Sequence, residues 1–403
     1  MGVRVIFAVI LCLWDTGLSF KLLTPTALTR FHAQSRGLVQ GSVVCLSAGK
    51  NDGLDDIRPG SMKAAIRELG VVPYGEESRQ YRRTVYTQDD WLKHRSSTRL
   101  WKNLRGTFTS GVVRSLIFEV SMVSGIALLI VAVNCVLGGF LDLSNVYHSP
   151  LLPGLGSFML QLPALPFTLS SPALGLLLVF RTNSSYQRWL EARTSWGRIT
   201  AHLRNVIRQG ATWLDLDVPP EDRKEVLEKL GLQAWVFGAC LRWKLVPERA
   251  AVAAELRARM GAAKADTLLA ARNPPLRALQ DLSLQIVSLP MDEKRRVEMD
   301  KSCIIIGELT EVCERIFTSP VPLVYTRHTA RFLSSWLLLL PFCLWESFGA
   351  SWNHILVVPA SALMAIFLFG VEELSVQLEE PFSILPLKFL CDSVRDFAED
   401  SVV

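Results

Sequence analysis

Between Gln161 and Arg193 the chain reads QLPALPFTLSSPALGLLLVFRTNSSYQRWLEAR, the stretch whose residue types and spacing could do chemistry. No ionisable side chain occurs from Leu151 to Phe180. That is long enough to cross a bilayer core, which needs about 20 apolar residues. Leu165, Leu169, Ala173 and Leu177 recur every four residues, so they share one helix face. Thr168, Ser170, Ser171 and Gly175 supply the small side chains that close helix packing in membranes requires. Pro163, Pro166 and Pro172 punctuate the run. A proline inside a helix removes a backbone donor and frees a carbonyl, and at membrane depth such a break survives only where protein or a water-filled cavity satisfies the freed groups. Two readings follow: an ordinary seam between packed helices, or a narrow apolar neck made by copies of this helix around an axis. Arg181, Arg188, Glu191 and Arg193, with Trp189 and Trp196, then continue the helix into water as an amphipathic surface.

Other chemistries find no foothold. The eight cysteines form no CxxC pair, and no Cys/His spacing suits zinc. There is no glycine-rich nucleotide fingerprint, no GxSxG and no HExxH. Hence no cofactor, no metal and no catalytic residue is expected. A membrane enzyme would need a nucleophile or metal constellation near the bilayer, and His354 has no partner along the sequence; it reads as a packed or interfacial residue. A coupled transporter predicts inverted repeats and paired broken helices, whereas one broken segment and no repeat is visible. The net charge of +5 comes without a dense basic cluster, which argues against nucleic acid. Half of the 403 residues are hydrophobic, concentrated in a few runs, and the mean hydropathy of +0.27 points to a lipid bilayer as partner.

The elements that must position this stretch can be read in order. Residues 1–20 have one positive charge, Arg4, then an apolar run and small residues, the pattern of a secretory-type signal. Residues 21–50 begin basic, hydroxylated and acid-poor, the composition of a transit segment; plain secretion is the competing reading. Residues 51–105 are polar and amphipathic, with Trp91 and Trp101 beside Lys and Arg as interface anchors or as a plug over a pore mouth. Residues 106–199 hold a span uncharged from Val120 to Leu141 and a second span, Leu151–Phe180. Residues 200–318 form a helical extramembrane domain, with helical patterns at Glu221–Leu232 and Glu248–Met260 and a helix over Met291–Phe317. Residues 319–380 hold apolar runs at Phe332–Trp345, preceded by Tyr325, Arg327, His328 and Arg331 as an interfacial anchor, and at Ser347–Val371. Glu372, Glu373, Glu379 and Glu380 close that region as a solvated or ion-paired helix end, and 381–403 is a polar tail. Four spans with both termini and the helical domain on one side satisfy positive-inside counting. The expected fold is therefore an all-α membrane protein with four transmembrane spans.

Three stretches resemble the bestrophin superfamily, and within it the plant and algal thylakoid voltage-dependent chloride channels: LPALPFTLSSPALGLLLVFRTNSSYQRWLEARTSWGRI (162–199), SPVPLVYTRHTARFLSSWLLLLP (319–341) and GVEELSVQLEEPFSILPL (370–387). The resemblance covers roughly Trp91–Cys391. It implies a homopentamer around one anion pore. Leu165, Leu169 and Ala173 fall on the family's hydrophobic neck, and Val297, by a gapped match, on its second constriction. Arg181, Arg188 and Arg193 would concentrate anions in the vestibule, unless acids such as Glu191 pair them as structural glue. Ala173 stands where animal members carry a bulky aromatic, so the tightest ring falls at Leu165 or Leu169. After Gln377, Glu380, Pro381 and Phe382 the acidic cluster that binds calcium in animal members is missing, which makes voltage a more natural control than calcium. The implied function is passive, voltage-dependent chloride conductance, with nitrate and bicarbonate as further anions; a bicarbonate channel feeding a pyrenoid is the alternative. The junction Leu18-Ser19-Phe20-Lys21 resembles the bipartite presequences of algae with secondary plastids, so the implied location is a plastid, thylakoid membrane.

Overall fold

The computed structural model describes residue 79 and residues 82–402, apart from 107–109, 143, 152–157, 216 and 350. The signal and transit readings lie outside the described residues. Two short helices come first, α1 (Gln88–His94) and α2 (Arg99–Arg105). Thr87 caps α1 by accepting from Asp90 N–H while the Asp90 carboxylate accepts from Thr87 N–H, a reciprocal capping box. Then follow α3 (Gly111–Ser115) and α4 (Ile117–Gly138), and an antiparallel pair of two-residue strands, β1 (Phe140–Leu141) with β2 (Tyr147–His148), in which Phe140 faces His148.

The element that positions everything else is α5 (Leu165–Trp213), one helix of 49 residues. Residues 158–164 are not part of it, so the second span does not run as a continuous helix from Leu151. The prolines explain its start. Pro163 precedes the helix and Pro166 sits in its first turn, where a missing N–H costs nothing. Pro172 lies inside the helix. It removes one hydrogen bond without ending the helix, so the expectation of three helix breaks is corrected to one start and one tolerated defect. The helix passes through residues 199 and 200 without interruption.

Beyond α5 come α6 (Pro220–Leu245), α7 (Arg249–Met260), α8 (Ala262–Leu269), α9 (Pro274–Val287) and α10 (Glu293–Thr318). Prolines open α6 and α9, Asp292 caps α10 by accepting from Lys294 N–H, and Gly261, at φ 87°, separates α7 from α8. Their buried faces close one core with the distal half of α5, in which Trp196, Phe237, Leu203, Leu241 and Leu282 are almost fully buried.

The chain then returns through α11 (Leu323–Ser347), a turn at Trp352–His354 and α12 (Val357–Glu379), and ends in α13 (Leu387–Val402), packed on α6 and α5. Tyr325, Arg327, His328 and Arg331 lie within α11, not before it, because Pro320 and Pro322 set the helix start upstream of them. The last apolar run is likewise divided by the turn, where Asn353 and His354 adopt positive φ. His354 finds its partner in space: its ring stacks 3.7 Å from that of Trp345, with Nδ1 2.8 Å from the Trp345 carbonyl.

Among the described residues, Ile117–Gly138, the N-terminal part of α5 and Trp352–Glu379 are long and apolar enough to cross a membrane. α11 carries Arg327, Arg331 and Glu346, yet its Leu333, Leu337 and Leu340 are buried with Val123, Leu174, Leu178 and Ala365 in the core that these helices share. The molecule thus has an apolar half built on α4, the start of α5, α11 and α12, and a polar half built on the rest.

Two expected outcomes test this packing. α6 approaches α13 so closely at Gly231 that a Cβ there would lie 2.5 Å from Ala398 Cβ. Gly231→Val should cost about 1–3 kcal/mol by overpacking, and adding Ala398→Gly should recover part of it in denaturant melts. His202, within 3.4 Å of Ser302 Oγ, has its pKa lowered from 6.5 by burial and then by Arg198. Folded His202 binds protons more weakly than unfolded His202, so the stability it holds above pH 6.5 drains away as pH falls through the lowered value. His202→Gln should flatten the loss of melting temperature between about pH 7 and about pH 5.

Candidate functional site

The first turns of α5 present two unlike faces. Phe167, Ser170, Leu174, Leu178 and Arg181 face inward, buried or half-buried. Leu165 is 65% and Leu169 71% exposed, and Ala173 is exposed with them. Three of the four residues that the spacing put on one face are therefore left uncovered by the subunit, and the fourth, Leu177, is half-buried. Successive members stand about 6 Å apart at 1.5 Å per residue.

The inward face is pinned by polar contacts at apolar depth. Trp336 of α11 donates its indole N–H to Ser170 Oγ at 3.2 Å, and its ring lies 5.7 Å from that of Phe167. Upstream, the non-helical segment that leads into α5 is held on two sides. Asn134 of α4, fully buried, accepts from Leu160 N–H at 2.7 Å and donates to the Leu160 carbonyl at 3.0 Å. Leu162 N–H donates to the Phe342 carbonyl at 3.1 Å. Irregular backbone in an apolar slab needs such partners. Periodicity and motif searches passed over Asn134, although a lone amide within an otherwise apolar run was the available signal.

A second set of contacts fixes α5 where its charge-free part ends. Arg181 is 5% exposed; it pairs with Glu372 of α12 at 2.8 Å and donates to the Thr326 carbonyl of α11 at 3.1 Å. Arg181 Nε and Glu372 Oε2 have no hydrogen-bond partner among the described residues. Beside this pair, the hydroxyls of Thr182 and Ser375 meet at 2.9 Å. Seven residues on, Arg188 donates to three carbonyls at two helix ends: Ile316 at 2.6 Å, Ser319 at 2.8 Å and Glu379 at 3.1 Å. It thereby satisfies carbonyls that the ends of α10 and α12 leave open. Glu191 pairs with Arg315 at 2.7 Å. The arginines thus divide: Arg181 and Arg188 spend their donors inside the subunit, and Arg193 has no hydrogen-bond or ion-pair partner among the described residues.

Val297, 57% exposed, lies in the second turn of α10, which packs along the polar half of α5. Its near neighbour Met299 lies at the level of Gly210, where a Cβ would come within 4.0 Å of Met299 Cε. At 1.5 Å per residue that level is about 70 Å along the helix from Leu165. The structure therefore does not bring Val297 together with the leucine face; it puts them at opposite ends of one rod.

The turn after α12 is filled by guanidinium groups. Arg79 donates to Glu380 at 2.6 Å and to Ser383 Oγ at 2.8 Å, Arg82 to Gln377, and Arg83 to the Ser383 carbonyl and to Glu248, each at 2.7 Å. Buried thiols elsewhere are inert: burial pushes Cys240, Cys313 and Cys391 up to about 12. What these residues can do is present an uncharged face on α5 and hold it in one orientation.

The chain is similar to known proteins over most of its length. The profile described as bacterial/fungal bestrophin protein matches residues 90–400. The chain is 34% identical to voltage-dependent chloride channel 1, chloroplastic, of Arabidopsis thaliana over 327 residues, 81% of this chain and 75% of the relative. With voltage-dependent chloride channel 2, chloroplastic, of the same plant it shares 31% identity over 365 residues, 89% of this chain and 83% of the relative. A bacterial bestrophin homolog from Klebsiella pneumoniae, of known crystal structure, superposes with a TM-score of 0.59 at 22% identity, covering 71% of this chain and 98% of that one.

The Arg181–Glu372 pair generates a test. Removing one partner strands a buried charge, so Arg181→Gln and Glu372→Gln should each cost about 3–5 kcal/mol. The double variant should cost clearly less than their sum, as read from melts of the detergent-solubilised protein.

Proposed function

The chain belongs to the bestrophin family, and from that membership we propose that it is a channel that lets anions, chloride first among them, pass down their gradient across a plastid membrane. The names of the Arabidopsis relatives, chloroplastic voltage-dependent chloride channels, support the ion, the voltage control and the organelle. The observation that carries the reading is the uncovered, charge-free face of α5 bearing Leu165, Leu169 and Ala173, on a helix whose opposite face is pinned at Ser170, Arg181 and Arg188.

In this reading four helices of each subunit span the bilayer, α11 among them, and five subunits surround one axis in the thylakoid membrane. Leu165, Leu169 and Ala173 form the neck, with the tighter rings at the leucines. Apolar rings favour weakly hydrated anions and gate by dewetting. The amino-terminal end of α5 adds the positive end of a helix dipole at the mouth. Val297 forms the distant constriction, and the vestibule between them is lined by the stem of α5. Of the three arginines considered for attracting anions there, Arg193 keeps its charge unpaired, while Arg181 and Arg188 hold the stem in place.

Planar-bilayer recording of the purified chain tests this. An anion current should appear, and its reversal potential in a chloride/bicarbonate gradient ranks the two ions. Leu169→Ala should change single-channel conductance or gating with little change in melting temperature, since the side chain is 71% exposed in the subunit. The absence of anion current at every voltage would sink the reading.

A further inference from the structure

We propose that a cavity beside the stem of α5 is a binding site for an anionic amphiphile, a molecule with a carboxylate, sulfate or phosphate head and an apolar body. The cavity measures about 360 Å³ and lies between residues 82–86, the Trp189–Arg193 turn of α5, and residues 384–390 at the start of α13. That size is at the lower end of small-molecule sites, which are largely apolar with a few convergent polar groups.

Its charge has one sign. Arg82 and Arg193 line it, and among the described residues no carboxylate does. Two other surface grooves differ: the one at α1 and α2 includes Asp90, and the one between α6 and α13 includes Glu228 and Glu399. Arg82 donates to Gln377, which fixes it in the wall. Arg193 is half-buried, and its guanidinium reaches one turn onward along α5 to Gly197, where a Cβ would stand 3.4 Å from Nη1. Gly197 thus leaves the head group of Arg193 room to lie against the helix. A planar guanidinium with unspent donors recognises carboxylate, sulfate or phosphate oxygens by paired, charge-assisted hydrogen bonds.

The rest of the wall suits an apolar body. Leu385 is buried beneath the cavity, Trp189 packs on the domain core, and Tyr86 and Phe389, 47% and 53% exposed, stand at its mouth. Arg193 is twelve residues beyond Arg181, where the charge-free part of α5 ends, or about 18 Å along the helix. The head-group chemistry that an anionic lipid and a free amphiphilic anion share is what the cavity reads. An occupant would join the arginine-bearing segment 82–86, the α5 stem and α13. This inference goes beyond conduction and does not depend on it.

The test is photolabelling of the full chain in neutral detergent with a diazirine-bearing palmitate, and in parallel with its uncharged methyl ester. Peptides spanning 384–390 or 82–86 should be labelled saturably by the acid and not by the ester. Arg193→Gln should weaken that labelling about ten-fold, as the loss of a charge-assisted contact implies, and Arg193→Lys should retain part of it. Val85→Trp, at a 43% exposed position, fills the mouth without touching the charges or the core and should abolish labelling. Hexanoate as competitor identifies a free anion as sufficient; protection only by vesicles containing phosphatidylglycerol identifies a lipid, and either supports the site. Equal labelling by the ester, or labelling unchanged in Arg193→Gln, overturns it; the latter is the result if a carboxylate of a neighbouring copy neutralises Arg193. Because the readout is labelling, its failure leaves the channel reading standing, and loss of current leaves this one standing.

Discussion

One rigid helix that must serve two solvents is the constraint on which this structure depends. α5 starts in a charge-free slab and ends 49 residues later inside a polar helical domain. No hinge relieves it, so every element that meets it must be fixed at the level where its surroundings change. Arg181 and Arg188 do this. The Arg181–Glu372 pair joins α5 to α12 with almost no exposure, and the Thr326 carbonyl brings in α11. Arg188 closes the ends of α10 and α12 onto the same helix. A buried ion pair costs desolvation that its attraction barely repays, so its contribution is better read as fixing registry than as adding stability. The registry it fixes is the rotation of α5, and hence which side chains face away from the subunit.

The two halves of the molecule follow different packing rules. In the polar half, Trp196, Phe237 and the leucines around them form an ordinary core. In the apolar half, only 17% of the apolar stretch of α5 is buried within the subunit, against 33% for α4. A helix left that uncovered, with Leu165, Leu169, Leu176 and Phe180 all more than half exposed, is a surface awaiting lipid, other copies or an axis. The asymmetry between α4 and α5 is informative because both are apolar enough to span. Composition alone would treat them alike, whereas the pinning at Ser170, Leu160 and Arg181 shows that the orientation of α5 is specified.

What could be read in the sequence was whatever repeats over short range. The uncharged runs, the helix over Met291–Phe317 and the shared face of Leu165, Leu169 and Ala173 all come from local spacing, and the structure keeps them. The prolines misled because their effect depends on place: Pro166 in a first turn costs nothing, and Pro172 costs one bond, while both look alike as letters. The partners of the polar groups were out of reach for another reason. Glu372 lies 191 residues from Arg181, Trp336 lies 166 from Ser170, and Arg79 lies 301 from Glu380. No periodicity carries such pairings; only the fold brings them together. His354 shows the short-range version, since its partner is nine residues away across a turn whose positive φ values no pattern announces.

These pairings also decide where anion preference can come from. Counting arginines near the end of the charge-free stretch suggests a strongly positive rim. The structure removes most of it: Glu372 offsets Arg181, backbone carbonyls take every direction of Arg188, and Glu191 is itself engaged by Arg315. Charge that is buried and satisfied contributes little field at a distance, particularly at physiological salt, where screening acts within about 8 Å. The proposed passage along the face of Leu165, Leu169 and Ala173 would therefore select by what it lacks. It offers no carboxylate, so a cation gains nothing there, and its apolar rings penalise ions in proportion to how tightly they hold water. Large, weakly hydrated anions lose least. In the channel proposed above the arginines set the geometry, and the neutral leucine and alanine side chains set the preference.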